Sequence, residues 1–255
     1  VSVAITSEAA LLEHLRALGI ETGTDIVVHS RLISFGQIPG GVEAVYRALR
    51  AAVGDAATIA VPTYTLRPLN GEWFDPKAEK WERLGVLSDY VRQLPGAVRS
   101  ACTMHSHAAV GAKAEQLKTI SGDVSFGPGS DFDLLERLGF TAVFLGCGFP
   151  DAATFTFHVE ACRGDIPYRH WLELERNARD LDDPSRTRVI RYYARRSKDD
   201  VEDLEIVRRI LEDRRILRAA KCPYGVSYAV GLPEYKAALS EALARDPAAV
   251  LARGD

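Results

Sequence analysis

No two of the four cysteines, Cys102, Cys147, Cys162 and Cys222, stand in C-x-x-C spacing. That excludes the common structural zinc pattern and a disulfide framework, and reduced thiols in a cytosol are the simplest expectation. No apolar run approaches the roughly 20 residues of a membrane-spanning helix. The first residues, VSVAITSEAALLEHLRALG, lack a charged stretch followed by an apolar one, so no signal peptide is expected. There is no Walker lysine motif and no G-x-S-x-G; GVSYA (225–229) lacks the closing glycine. LGCGFPD (145–151) has G-x-G but not the third glycine of a dinucleotide loop, and reads as a tight strand-end turn. A net charge of −3 gives no long-range attraction for nucleic acid or an anionic membrane. What is present is ordinary for a globular chain. It has 255 residues, 47% apolar and 26% charged, enough for a sizeable core.

Periodicity gives the architecture. Ser7 can cap a helix whose Leu11, Leu12, Leu15 and Leu18 share a face, and Gly19 ends it. DIVVHS (25–30) reads as a buried strand. Gly40-Gly41 opens a helix with Val42, Val45, Leu49 and Val53 on one side, and Gly54 ends it. TIAVPTYT (58–65) is the next strand. Residues 85–94 read as helix, 97–103 as extended, 112–120 and 131–138 as helices, and TAVFLGC (141–147) as a strand. This alternation predicts an α/β sheet covered on both faces, with ligands gathering at the carboxyl ends of the strands. Those ends carry His29 and Ser30, Thr63 and Thr65, and Gly146 to Gly148. The arginine-rich remainder predicts a strand at 188–195 and a helix at 199–215. A further strand, a proline-started helix and a tail follow. The expectation is one domain over 1–255, with its core in 8–170 and a C-terminal elaboration in 171–255.

Several residues carry chemistry. MHSHAAVG (104–111) places His105 and His107 on one side of an extended segment, a spacing that can ligate a metal. With His158 or His170 and a carboxylate, the pair would form a metal-dependent hydrolase; without them, one ring simply bonds backbone. TFTFHVEACRGDIPYR (154–169) sets His158 in an apolar run with Glu160 two residues on. That is either a proton-transfer group or a core histidine beside a salt-bridging glutamate. Cys147 is either a nucleophile or a small buried apolar residue. VVHSRLISFGQIPGG (27–41) delivers His29 and Ser30 to a strand end. Glycines then open a helix whose amides can meet a phosphate or a carbonyl oxygen.

Taken together these segments form a pattern. VHSRLISFGQIPGG (28–41) resembles the HSSLSSFGWVVGG-like segment of the aminoglycoside 3-N-acetyltransferase family, and VPTYT (61–65) its Pro-Thr-x-Thr strand end. FDP (74–76), LGVLSDYVRQLPGAVRS (84–100), HSHAAVG, FGPGS (126–130), VFLGCG (143–148) and TFTFHVEA follow in the family order. The resemblance implies a three-layer α/β/α single domain with a central mixed sheet. It also implies transfer of an acyl group, expected to be acetyl, from acyl-coenzyme A to a primary amine of an aminoglycoside or amino sugar. Carried onto this chain, His29, Ser30, Arg31, Leu32, Ser34, Phe35, Thr63, His105 and Ser106 line the path of the pantetheine and phosphates. Tyr64, Asp75 and Arg169 meet the amine substrate. His158 is the general base, with Glu160 beside it. Attack is direct, so neither a cysteine nor a metal is required.

The chain departs from the family pattern at two points. The usual His-x-x-Glu is here His-x-Glu, so either the pair has moved by one residue or Phe157 stands in the histidine's place. HPTHS has become CTMHS (102–106). No acidic cluster for a polycation stands beside Tyr64, Asp75 or His158. DIPYRHW (165–171) is similar to relatives acting on nucleotide-linked amino sugars, where Arg169 and the arginines of 186–196 would meet a diphosphate. Two other functions stay in view: the metal hydrolase on His105, His107 and His158, and a coenzyme A-binding member without catalysis. A cytoplasmic protein with a small-molecule amine partner is expected, with neither nucleic acid nor membrane, and a homodimer left open.

Overall fold

The computed structural model describes residues 3–67, 72, 74, 75, 84–179, 183 and 185–252; Pro76 of FDP lies outside them. In chain order the first half comprises α1 (Glu8–Ala17), β1 (Ile26–Ser30), α2 (Gly41–Val53), β2 (Ile59–Pro62), α3 (Val86–Arg92), β3 (Val98–Arg99) and β4 (His107–Val110). The rest comprises α4 (Asp131–Arg137), β5 (Thr141–Leu145), α5 (Phe149–Ala152), α6 (Phe155–Arg163), β6 (Arg169–Arg179), β7 (Thr187–Arg195), α7 (Leu204–Asp213), β8 (Arg218–Cys222), β9 (Gly225–Gly231) and α8 (Leu232–Arg245). Ser7 caps α1 by accepting the Ala10 amide hydrogen, as its sequence position predicts.

Seven strands form one mixed sheet in the order β3-β4-β2-β1-β5-β9-β8. β1 runs parallel to β2 and β5, while β4 and β9 are antiparallel to their inner neighbours. Alternating side chains feed two separate cores. Ile26, Val28, Ile59, Val61, Val143 and Leu145 pack with Leu11 and Leu15 of α1, Leu49 of α2 and Leu87 of α3. Val27, Ala60, Ala142 and Phe144 pack with Leu134 of α4, Val159 of α6, Val207 of α7 and Leu239 of α8. This is the three-layer α/β/α arrangement the sequence predicts.

Three details differ from the expectation. The helix expected at 112–120 is a 3₁₀ run, Ala114–Thr119. The one expected from 199 starts at Leu204, where Asp203 caps it through the Glu205 amide. The region beyond 170 also does more than elaborate a finished core. It supplies β8 and β9, two of the seven strands, and the separate β6-β7 hairpin.

This topology positions the site. The parallel strands β1, β2 and β5 end at one edge. β4 runs the other way, so its first residue, His107, lies opposite Pro62 at that same edge.

Candidate functional site

A cleft of about 350 Å³ opens at this edge. Its walls include His29, Ser30 and Arg31 from the end of β1, Pro62 from β2, and Cys147 and Asp151 from the turn between β5 and α5. Arg31 is also in the wall of a second groove, about 660 Å³, with Ile33, Gln37 and Tyr224. The LGCG turn is specific to glycine at Gly146, where φ is 69°. A Cβ there would lie 2.8 Å from Phe35 Cε2 and 2.9 Å from the Arg31 carbonyl oxygen. The Gly146 amide donates to Ser227 Oγ at 2.8 Å, and its carbonyl accepts from Ser34 Oγ at 2.5 Å. The motif is therefore a strand-end turn that fixes the cleft wall.

The cleft's chemistry is that of a neutral imidazole. Burial, and then the neighbouring His107, hold His29 down at about 3. The ring is thus uncharged at neutral pH, and a neutral imidazole carries one lone pair. Cys147 donates to the His29 carbonyl oxygen at 3.6 Å, and burial pushes its thiol up to about 12. A thiol so far from ionisation is a poor nucleophile. Asp151 is exposed at the mouth and supplies a carboxylate for a cationic ligand; the sequence reading did not assign it to a ligand.

Other predicted residues lie elsewhere. His158 is fully buried, with 0% exposure. The Gly127 amide donates to its Nδ1 at 3.2 Å, so the ring hydrogen is on Nε2, which faces Glu136 Oε2 at 3.3 Å. Lys236 pairs with the same Glu136 oxygen at 2.6 Å. The ring thus has no free lone pair in this arrangement. Phe157, not His158, shares a helix face with Glu160. The Arg169 guanidinium lies 4.6 Å from the Phe157 ring centroid, and its Nε is 2.5 Å from Glu160 Oε2, an ion-pair contact outside hydrogen-bond alignment. Arg169 itself is buried and bonded to Glu202 and the Tyr193 carbonyl. It is not presented to a substrate, because its donors already face protein oxygens.

The predicted path residues divide in the same way. Thr63 and Ser106 are fully buried, bonded to each other at 3.1 Å, and Ser106 Oγ accepts from Arg99 Nε at 3.0 Å. Ser34 and Phe35 are buried behind the β5 turn, and Leu32 is half-buried at the start of the 3₁₀ turn Leu32–Phe35 that holds all three. Tyr64 is buried among rings, 4.9 Å from His105 and 6.5 Å from His29 between centroids. His105 bonds Ser125 Oγ at 2.5 Å. Asp75 is exposed. The metal triad expected from His105, His107 and His158 is not assembled: their Nδ1 atoms go to Ser125, Asp131 and Gly127 respectively. Among the described residues the grouping with ligand-like spacing is Asp133, Glu136 and His158, where Lys236 already pairs with Glu136.

Burial holds both His105, at about 3, and His158 below the ordinary 6.5. A histidine depressed in the folded state stabilises above its unfolded value and loses that contribution as pH falls. Below pH about 6.5 each ring should cost up to ~1.4 kcal/mol per pH unit. Replacing His105 by Gln should flatten the acid limb of a urea-unfolding series; an unchanged slope would show that the ring is not buried as a neutral base.

A sequence profile described as aminoglycoside 3-N-acetyltransferase matches residues 27–244. The chain belongs to that family. Among its relatives, aminoglycoside N(3)-acetyltransferase III of Salmonella sp is 34% identical over 185 residues, covering 65% of this chain and 64% of that protein. Aminoglycoside N(3)-acetyltransferase VII of Streptomyces paromomycinus is 31% identical over 184 residues, covering 65% and 63%. The aligned stretch therefore spans less than two thirds of those relatives. Solved structures of the family agree over nearly the whole fold. AAC-IIIb in a binary complex with CoASH superposes with a TM-score of 0.81 at 23% identity, covering 95% of this chain and 97% of that one. A histidine-to-alanine variant of AAC(3)-IVa in complex with apramycin gives 0.78 at 26%, covering 95% and 94%. Among the described residues no helix is long and apolar enough to cross a membrane.

Proposed function

We propose that this family member transfers an acyl group, acetyl in the first instance, from acyl-coenzyme A to a primary amine of an aminoglycoside or related amino sugar. The reaction takes place in the cleft at the ends of β1, β2 and β5. The observation that carries this reading is a partly exposed histidine in the wall of a cleft that shares Arg31 with a second groove. A long donor with a reactive thioester and an anionic nucleotide end matches two neighbouring compartments with one cation in the wall of both.

His29 is the base of this mechanism. It faces the cleft, whereas His158 is sealed and has its lone pair occupied. The amine attacks the thioester carbon, His29 takes the proton that nitrogen must lose, and the thiol leaves. Attack is direct, because the buried Cys147 thiol does not ionise near neutral pH. Asp151 holds the amino sugar through one of its ammonium groups.

The test is calorimetry with coenzyme A followed by turnover of acetyl-coenzyme A on a panel of aminoglycosides and amino sugars. Binding with turnover on at least one amine supports the reading. Binding with no turnover on any amine indicates a non-catalytic binding protein, and no binding removes the reading altogether. Arg31→Ala should weaken coenzyme A binding about 10-fold or more, the value of one charge-assisted bond. An unaltered dissociation constant places the nucleotide elsewhere.

A further inference from the structure

Behind His29 lies a second histidine that the mechanism above leaves unused. His107 is fully buried at the first position of β4. Asp131, at the start of α4, holds it: Oδ2 accepts the His107 backbone amide hydrogen at 2.8 Å and lies 3.2 Å from His107 Nδ1. Ser100 Oγ donates to the same oxygen at 2.6 Å. An oxygen that already accepts from the His107 amide and the Ser100 hydroxyl acts as an acceptor toward Nδ1 too, so Nδ1 carries the ring hydrogen and the lone pair is on Nε2. That Nε2 is buried and has no partner among the described residues. A buried acceptor left unpaired costs stability, so its presence calls for a reason. Phe132 and Tyr64 pack edge-on against the ring, 5.0 and 5.5 Å between centroids, and fix its plane.

His107 and His29 line one small cavity of about 10 Å³, with Phe132, Phe144 and Phe155 around it. β2 lies between their strands. Their backbones are therefore two strand spacings apart, about 10 Å, and the cavity that both line is at the lower limit of the volume that holds one water. His29 thus has the cleft on one side and a free, carboxylate-oriented imidazole on the other.

We propose that His107, oriented by Asp131, is the proton-relay and positioning residue for His29, an inference that rests on the acyl-transfer reading above. As the amine nitrogen bonds to the thioester carbon, one His29 ring nitrogen takes its proton. The other releases a hydrogen through the bridging water to His107 Nε2. The imidazolium so formed is held against the Asp131 carboxylate. When the carbon–sulfur bond breaks, the proton returns along the same path to the leaving sulfur. One N–C bond is made, one C–S bond is broken, and one proton has moved from nitrogen to sulfur.

The test uses Asp131→Asn and His107→Gln in the full chain, with acetyl-coenzyme A and the best acceptor of the unaltered protein. Each should lower kcat about 100-fold while KM for acetyl-coenzyme A stays within about twofold. Nitrogen-15 spectra of histidine-labelled unaltered protein should show His107 with its hydrogen on Nδ1. A folded variant with kcat within about twofold of the unaltered protein overturns the relay. So does a hydrogen found on Nε2. If neither variant folds, the tautomer decides alone: Nδ1–H supports the relay, Nε2–H ends it. An unaltered protein inactive on every amine removes the acyl-transfer reading and the relay together. An active protein with unaffected variants removes only the relay.

Discussion

His29→Ala lowers kcat for acyl transfer by roughly 10²- to 10⁴-fold, the usual contribution of a positioned general base, and leaves coenzyme A binding nearly intact. The expected split follows from the geometry. His29 contributes one wall of the cleft, while the second groove, which shares Arg31, does not include it. The comparison that gives the result meaning is His158→Gln, which should keep kcat and lose ~1–3 kcal/mol of stability through the weakened bond from the buried Gly127 amide. The reverse pattern, an active His29→Ala and a dead His158→Gln, would return the role of base to α6. The pH profile adds a third reading. His29 is held at about 3, so it is already neutral throughout the neutral range. A rise of kcat/KM with pH around neutrality should therefore follow loss of a proton from the amine substrate, and should move when the amine is changed. A ring so depressed holds a proton only briefly, which is why a partner behind it would matter.

The fold was legible where local chemistry and burial agree. α1 and α2 carry a side-chain cap or a glycine stop at their ends and an apolar face of helical period, and both are found within a residue or two of expectation. β6 was not legible. Its residues, RHWLELERNAR, alternate charged and apolar groups, and the strand pairs only with β7, away from the main sheet. β8, RAAKC, is an edge strand with little to bury, so it carries no apolar signal. Strand-end logic placed His29 and Ser30 at the end of β1, and both are found there in the cleft wall. It could not tell Phe157 from His158, because one residue turns a helix by about 100° and a motif offset by one reverses which side chain meets Glu160. The pairing of Asp131 with His107 was beyond it for another reason. The two are 24 residues apart and meet only because α4 sets its first residue against the start of β4.

The largest stability effect is expected at Arg169, the residue the sequence assigned to a substrate. Its guanidinium joins two carboxylates that are themselves fully buried: Glu160 on α6, at 2.5 Å, and Glu202 before α7, also at 2.5 Å. Tyr168 donates to Glu160 at 2.5 Å, and Arg195 closes the outer side of Glu202. Arg169→Met keeps most of the volume and removes the charge, leaving the buried Glu160 with only the Tyr168 hydroxyl and Glu202 with only Arg195. Breaking a buried pair in this way costs about 3–5 kcal/mol. The sign of the pH dependence follows from Glu160. Burial already pushes it up to about 7, although Arg169 pulls it down. A carboxylate raised in the folded state stabilises below its ordinary value of 4.5 and loses that contribution as pH rises through about 7. Without Arg169 the folded value rises further, so the deficit of Arg169→Met should be large at pH 8 and shrink toward pH 5. Urea unfolding at the two pH values measures it. Arg169→Lys should recover little, because one ammonium cannot span two carboxylates, the Tyr193 carbonyl and the Phe157 ring at once. A lysine variant as stable as the parent would mean that charge alone, not the planar fork, holds α6 against β6.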